Sequence, residues 1–346
     1  MQRKTISLAL QGGGSHGAFT WGVLDRLLED DRIDIEGISG ASAGSMNAVV
    51  LAYGHVVGGR AGAREALRQF WNSVSAKAPF SFVNEAEPGG AGANSPPFVR
   101  TLASLTRFFA PYQLNPLDID PLRGILADQI DFARLRADAT LKLFIAATDV
   151  RTGRLRLFRN DELTLEALLA SACLPTLHRP IEIDGAAYWD GALSANPPLY
   201  PLLHHCSAPD VLVVLLHPSR RAELPTTGEE IWQRFTEISF ASTFFTELDG
   251  LVRAKLETDR TRFALGRLER KLRALNLHVI ANDELMSQLS ADSRLNVQPA
   301  FINGLFEHGR HRADAWLRLK FPFVGRRSSV RLRSLLAPLS NLGPAR

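Results

Sequence analysis

Residues 5–17 read Thr-Ile-Ser-Leu-Ala-Leu-Gln-Gly-Gly-Gly-Ser-His-Gly, an alternating run of apolar and polar residues that stops at three consecutive glycines. The alternation over Thr5–Gln11 predicts a β-strand, and the apolar spacing over Ala18–Glu29 predicts an amphipathic helix. A glycine loop between a strand and a helix leaves backbone N–H groups at the positive end of the helix dipole, where anions bind. The loop also matches G-x-G-x-x-G, so the anion is either a dinucleotide pyrophosphate or the oxyanion of an acyl-transfer intermediate.

A second motif distinguishes these two anions. Gly40-Ala41-Ser42-Ala43-Gly44 follows a second predicted strand, Ile33–Ser39, and precedes an apolar helix that extends to about His55. At a strand-to-helix turn, G-x-S-x-G forms a nucleophile elbow, in which small residues let backbone segments approach closely. A dinucleotide site has no use for a serine at this turn. The two motifs together therefore favour acyl transfer.

The order of the remaining predicted elements favours an α/β fold. Leu141–Thr148 and Val211–His217 have the nearly continuous apolar character of buried parallel strands. Strands alternate with helices along the chain, which indicates a mostly parallel central sheet covered by helices on both faces. The other predicted elements are strands at 155–158 and 277–281, helices at 63–74, 163–172, 228–248, 251–275 and 299–319, and a loop rich in glycine and proline at 79–97.

Apolar and mostly aromatic residues recur at helical spacing within the helix predicted over residues 228–248. This aromatic stripe consists of Trp232, Phe235, Ile238, Phe244, Phe245 and Leu248. Core packing is the favoured interpretation of the stripe. An acyl-chain channel or an interfacial contact is the alternative.

A serine nucleophile needs a base that accepts its proton. His217 ends one predicted strand and His278 lies within another, so either is a candidate for a Ser-Asp-His triad, although a structural role is favoured for both. Asp190 is the better candidate, because it ends a predicted strand and is followed by glycine and small residues. The tripeptide Asp184-Gly185-Ala186 has a similar composition but predicts a hairpin turn.

Three motifs occur in order along the chain, GGGxxG, GxSxG and DG[GA]xxxNxP, and this order resembles the patatin-like phospholipase family. The resemblance covers approximately residues 5–205, and Thr148-Asp149 with Gly153 and the segment 171–175 support it. It implies an α/β/α three-layer fold and a Ser–Asp dyad without histidine that cleaves acyl esters through an acyl-enzyme intermediate.

The resemblance also assigns the residues of the candidate site. Ser42 is the nucleophile and Asp190 is the base. The oxyanion hole consists of the backbone N–H groups of Gly13, Gly14 and Ser15, with Ala43 as a further donor. The other motif positions are Gly12, Gly17, Gly40, Gly44, Gly191 and Ala192. His16 departs from the family pattern, because many members have Arg or Lys there, and this puts in question the role of a fixed positive charge beside the oxyanion loop.

The resulting hypothesis is a serine acyl hydrolase, that is a lipase, phospholipase or esterase, acting on lipid or other carboxylic esters. One alternative is an acyltransferase with the same dyad, in which an alcohol or a thiol replaces water. A weaker alternative is a dinucleotide-binding protein that uses the glycine loop. The sequence contains no HExxH or CxxC motif, so we expect neither a metal nor a cofactor.

The composition indicates a globular protein. The chain has 346 residues, of which 45% are hydrophobic, and only two cysteines, which excludes a disulfide-rich secreted fold. No block of about 20 Leu, Ile and Val residues occurs, so a membrane span is not expected. We therefore expect a cytoplasmic protein. Arg outnumbers Lys 34 to 6, which reflects coding bias more than a nucleic-acid surface, and no nucleic-acid partner is expected.

Positive charge is concentrated at the C-terminal end. Residues 309–346 contain nine Lys/Arg and one acidic residue, so this segment carries +8 while the first 308 residues carry −4. We predict an acyl-hydrolase domain over residues 1–325 and a basic tail over residues 326–346. The tail is either an extension, solvated or folded back, or a peripheral contact to an anionic membrane surface. It combines Arg326, Arg327, Arg331 and Arg333 with Val330, Leu332, Leu335, Leu336 and Leu339.

Overall fold

The structure is a computed structural model that describes residues 3–76, 110–115, 118–218, 224–261 and 266–335. Its strands are β1 (Lys4–Leu10), β2 (Ile33–Gly40), β3 (Lys142–Asp149), β4 (Leu155–Arg159), β5 (Ile181–Ile183), β6 (Ala186–Asp190), β7 (Asp210–Val214) and β8 (Asn276–Ile280). Its helices are α1 (Gly17–Glu29), α2 (Ala43–Ala76), α3 (Pro111–Leu114), α4 (Pro121–Gln129), α5 (Phe132–Asp138), α6 (Leu165–Ser171), α7 (Tyr200–His205), α8 (Gly228–Arg260), α9 (Arg267–Ala274), α10 (Asp283–Gln288), α11 (Pro299–Leu319) and α12 (Leu332–Leu335).

The eight strands form one mixed sheet in the order β5-β6-β3-β2-β1-β7-β8, with β4 also paired to β3. Within this order, the five neighbouring strands β3, β2, β1, β7 and β8 are parallel to one another. The pairs β3–β4, β3–β6 and β5–β6 are antiparallel. The predicted strand at 155–158 is present as β4, and the predicted hairpin turn at Asp184-Gly185 connects β5 to β6. The predicted mostly parallel central sheet is therefore confirmed.

Helices cover both faces of the sheet because the side chains of a strand alternate between its faces. Leu8 and Leu10 of β1 point into a core that includes residues of α1, α2 and α11. Ala9, between them, belongs to a second core with Leu202 of α7 and Phe244 of α8. The α/β/α three-layer arrangement is confirmed.

The helices predicted over 228–248 and 251–275 differ from the structure, in which α8 ends at Arg260 and α9 begins at Arg267. The break predicted between residues 248 and 251 does not exist, since α8 continues through Gly250 to Arg260. Gly250 is exposed, and a side chain at this position would meet no other atom. Glycine therefore destabilises the helix here by only about 1 kcal/mol relative to alanine. Buried Leu248 and Val252 on either side hold the helix against the core. The predicted loop at 79–97 lies outside the described residues.

The aromatic stripe divides into a buried and an exposed part. Phe244 and Leu248 are buried, as predicted for core packing, and Phe245 packs against the same core. The interpretation is wrong for Trp232, Phe235 and Ile238, which are exposed. The reason is orientation: at 100° per residue, Trp232, Phe235 and Ile238 lie on the opposite side of α8 from Phe244 and Leu248, which face the core.

The first ten residues of the predicted basic tail fold back onto the sheet. The Ser329 N–H donates to the Leu277 carbonyl oxygen at 3.1 Å, and the Leu277 N–H donates to the Ser328 hydroxyl at 3.0 Å. Val330, Leu332 and Leu335 pack against the core formed with α8. Leu336 and Leu339 lie outside the described residues. Within the described ranges, no helix is both long enough and apolar enough to cross a membrane.

Candidate active site

Ser42 occupies a sharp turn between β2 and α2. Its φ angle is +52°, a left-handed conformation that non-glycine residues rarely adopt and that costs about 1–3 kcal/mol where it occurs. The turn is tight, because a side chain on Gly44 would overlap the Leu10 carbonyl oxygen and one on Gly40 would overlap the Gly44 backbone. The G-x-S-x-G glycines therefore serve close backbone approach, and Ser42 is the residue that the turn projects.

Asp190 lies at the end of β6 and is completely buried. Its backbone is fixed on both sides, since its N–H donates to the Cys173 carbonyl oxygen at 2.8 Å and its carbonyl oxygen accepts from the Thr148 hydroxyl at 2.8 Å. The Ala192 N–H donates to Asp190 Oδ1 at 2.8 Å. Gly191 is required next to it, because a Cβ there would overlap the Ala146 carbonyl oxygen.

The environment of the Asp190 carboxyl favours its protonated form. Burial raises the pKa of Asp190 from 3.8 to about 7, while hydrogen bonding from the Ala192 N–H and from the Ser42 hydroxyl acts in the opposite direction. Oδ2 is buried and accepts no hydrogen bond of good geometry from any described residue. The carboxyl group beside Ser42 thus has a proton affinity matched to neutral pH.

One short segment positions both Ser42 and Asp190. The Ser42 N–H donates to the Ser171 carbonyl oxygen at 3.0 Å. The Asp190 N–H donates to the carbonyl oxygen of Cys173, which follows Ser171 by two residues. The Ser171 hydroxyl also lies 2.7 Å from the Ser45 hydroxyl. Residues 171–175 supported the family resemblance in the sequence, and their structural role is to hold the serine turn and the aspartate strand at a constant separation.

The glycine loop lies against the serine turn. A Cβ on Gly12 would come within 2.7 Å of the Ser42 Cβ. Gly14 has a φ of +58°, and residues 14–16 form a 3₁₀ turn that leads into α1. Among the described residues, none accepts a hydrogen bond from the N–H groups of Gly13, Gly14, Ser15 or Ala43. These four N–H groups remain available to an anion.

Two polar residues that the sequence analysis did not assign hold this loop in place. The Gly12 N–H donates to Asn196 Oδ1 at 2.6 Å. Gln11 donates to the Asn196 carbonyl oxygen at 3.2 Å and accepts from the Leu216 N–H at 2.7 Å. Asn196 is the asparagine of the third motif, so the motif could have identified it. Gln11 is the last residue of a predicted strand, and no motif marks it.

His16 carries no charge at neutral pH. Burial, and to a lesser degree the charge of Arg294, lower the pKa of His16 to about 3. Its Nε2 lies 2.7 Å from the Ser293 hydroxyl, and the Arg294 backbone packs against Gly14. Position 16 therefore supplies no positive charge to the glycine loop. Arg294, whose charge acts on His16, lies in the turn at 291–295, which no sequence motif marks.

Of the two histidines considered as triad members, His278 pairs with Asp210 of β7, whereas the His217 backbone lies beside Gln11, the residue that precedes the glycine loop. His278 Nε2 is 2.9 Å from Asp210 Oδ1 and its Nδ1 is 2.9 Å from the Ser329 hydroxyl, so this ring links β7 to the C-terminal segment. The His217 N–H donates to Gln11 Oε1 at 3.0 Å. Both cysteines are buried as predicted, and burial is the main cause that raises the pKa of the Cys173 thiol to about 12.

Several known proteins resemble this chain. VipD from Legionella pneumophila aligns with 90% of this chain and 67% of its own at 12% identity and a TM-score of 0.40. Full-length ExoU of Pseudomonas aeruginosa, in complex with full-length SpcU, aligns with 90% of this chain at 16% identity and a TM-score of 0.30, and this chain spans 53% of that one. No curated protein matches the chain significantly.

The sequence profile of the family described as patatin-like phospholipase matches residues 8–203, which is more than half of the chain and includes all three motifs. The chain therefore belongs to the patatin-like phospholipase family, and this membership supports a lipid-hydrolase function.

Proposed function

We propose that the protein is a serine acyl hydrolase that cleaves carboxylic ester bonds of lipids through a Ser42–Asp190 dyad. The observation that carries the proposal is the pairing of a serine at a φ of +52° with a buried aspartate whose pKa is raised to about 7. A strained nucleophile and a base of tuned pKa are features that functional sites share.

The reaction proceeds in two steps on these residues. Ser42 Oγ attacks the ester carbonyl carbon while its proton passes to Asp190 Oδ2. The negative charge on the carbonyl oxygen is stabilised by the backbone N–H groups of Gly13, Gly14, Ser15 and Ala43. The C–O bond then breaks, and the departing alcohol takes the proton from Asp190. Water then attacks the carbonyl carbon of acyl-Ser42 and transfers a proton to Asp190. The bond between this carbon and Ser42 Oγ breaks, Oγ takes the proton back from Asp190, and the fatty acid is released.

A direct assay tests the proposed activity. We expect hydrolysis of p-nitrophenyl esters, with a dependence on acyl-chain length, and release of fatty acid from phospholipid or neutral lipid. Added glycerol distinguishes hydrolysis from acyl transfer, because a transferase forms new glyceryl ester instead of free acid. The proposal would be contradicted if the protein cleaved no ester and instead bound NAD(P) saturably at the glycine loop.

We also propose peripheral membrane contact through the basic tail. Arg326, Arg327, Arg331 and Arg333 are exposed, and basic residues near an anionic bilayer contribute about 1 kcal/mol each. Replacing the four arginines with glutamine should weaken sedimentation with phosphatidylserine liposomes, and raised salt should have the same effect on the unmodified protein. Substitution is a cleaner test than deleting residues 326–346, because Ser328 and Ser329 bind the sheet edge. If the variant bound liposomes as well as the unmodified protein, the tail would be an extension without a role in membrane contact.

A further inference from the structure

The N-terminal half of α8 exposes four large apolar side chains within two turns. The exposed fractions are 53% for Ile231, 44% for Trp232, 59% for Phe235 and 49% for Ile238. The Trp232 and Phe235 rings stack with their centroids 5.6 Å apart. Adjacent exposed aromatic and aliphatic residues are uncommon on a soluble surface unless the patch binds something. We call these four residues the α8 apolar face.

Helix geometry places the α8 apolar face in one sector free of charge. At 100° per residue, the four side chains fall within about 120° of the helix circumference. Ser239 and Ser242 fall in the same sector. The charged side chains Glu230, Arg234 and Glu237 fall outside this sector. Glu237 is buried and pairs with Arg234 at 3.2 Å, so these two charges are directed away from the face.

The turn of α8 that follows the α8 apolar face contacts the candidate active site from the other side of the helix. Phe240, only two residues beyond Ile238, packs against Ala41, Ala146 and Ala192, the small residues that surround Ser42 and Asp190. Its carbonyl oxygen accepts a hydrogen bond from Asn196 Nδ2 at 3.0 Å, and Asn196 holds the glycine loop. One turn of α8 therefore contacts the site, and the two turns before it expose an apolar surface to solvent.

We propose that the α8 apolar face docks the enzyme on a lipid surface, with Trp232 and Phe235 inserted among the acyl chains. The inference rests on the proposed function, since it requires that the substrate resides in a bilayer or micelle. Continuity along α8 identifies the occupant, because a helix that enters lipid with these two turns holds the site that its next turn contacts close to the lipid surface. Interfacial helices bind through this combination of aromatic and aliphatic residues, and tryptophan is enriched at membrane interfaces.

Between residues 230 and 242 of α8, none of the described charged side chains lies on the face, and this determines which lipids should support docking. Insertion of apolar side chains does not need an anionic headgroup, so the face should bind zwitterionic phosphatidylcholine and tolerate salt. Binding through the arginines of the tail should instead require anionic lipid and weaken with salt. The two contacts are therefore separable in one titration.

The test uses the whole chain with the Ser42→Ala substitution, which should remove turnover. Its readout is vesicle binding, which does not require that Ser42 is the nucleophile. We expect this protein to partition onto phosphatidylcholine vesicles equally in low and high salt. Adding Trp232→Ser and Phe235→Ser should reduce the partition coefficient at least tenfold. Leu319→Ser, which removes an apolar side chain that is 69% exposed at the end of α11, should leave it unchanged.

A second measurement separates docking from catalysis and from self-association. In protein with Ser42 intact, the Trp232→Ser, Phe235→Ser variant should hydrolyse a soluble short-chain ester normally and lose activity only on vesicle substrates. Vesicle binding equal to that of the parent protein, or no binding of the parent protein to phosphatidylcholine, would overturn the proposal. So would a variant that binds vesicles normally but changes from dimer to monomer in sedimentation velocity, because the face would then cover a second copy of the chain.

Discussion

Replacing Ser42 with alanine is expected to lower kcat/KM for ester hydrolysis by about 10⁴-fold or more while the protein stays folded. Alanine keeps the Cβ but removes the only atom that forms the acyl bond. The fold should be preserved because the contact that holds this turn to residue 171 is made by the backbone N–H of residue 42 and not by its hydroxyl. Circular dichroism and thermal unfolding check the fold beside the kinetic assay.

A covalent probe makes the same prediction more specific. A fluorophosphonate should label the unmodified protein at Ser42, as determined by peptide mass spectrometry, and should not label the alanine variant. Ser73→Ala, on the same helix but outside the site, is the matched control and should react and turn over normally. Labelling at a different serine, with the Ser42→Ala protein still active, would show that the nucleophile has been assigned to the wrong residue.

Replacing Asp190 with asparagine should abolish turnover and, in contrast to most active-site substitutions, stabilise the protein at alkaline pH. Burial raises the pKa of Asp190 to about 7, so the folded state binds the proton more tightly than the unfolded chain, in which the carboxyl has its ordinary pKa of 3.8. The stabilisation from this proton is complete below about pH 4 and is lost as the pH rises through about 7. Asparagine does not ionise, so its advantage should grow by about 4 kcal/mol between pH 4 and pH 8.

Two measurements check the role of Asp190. The free energy of unfolding from urea titrations at pH 4, 6 and 8 should diverge between the two proteins in the stated direction. In the unmodified enzyme, kcat/KM should rise with pH and level off above about pH 7, because only the ionised carboxylate accepts the serine proton. Asp184→Asn, in the exposed β5–β6 turn, is the control and should retain activity.

Other outcomes would require a different base. A flat pH profile from 5 to 8 would mean that Asp190 does not titrate as a base in turnover. If His217→Ala or His278→Ala impaired the folded enzyme as strongly as Asp190→Asn, a triad would replace the dyad. For His278 such a loss should be checked for unfolding first, since this buried ring links Asp210 to Ser329.

Motifs and periodicity were sufficient for the elements that depend on near neighbours in the chain. The strand over 4–10, its glycine loop and the following helix are determined by residue alternation, by the glycines and by apolar spacing, all within thirty residues. The serine turn was predictable for the same reason, because its close backbone contacts require small residues on both sides of Ser42. Asp190 was identified from its motif and the resemblance that the motif carried.

Contacts between distant segments could be known only from the folded chain. Local patterns specify which residues share a face, but they do not specify what lies opposite, and for this reason they missed the support of Gly12 by Asn196 and the contact of His16 with Ser293. The aromatic stripe illustrates the same limit: helix geometry separates Trp232, Phe235 and Ile238 from Phe244 and Leu248, but only the tertiary structure shows which of the two sides the core covers. The proton affinity of Asp190 is likewise a property of tertiary structure, because desolvation depends on every segment that excludes water from the carboxyl group.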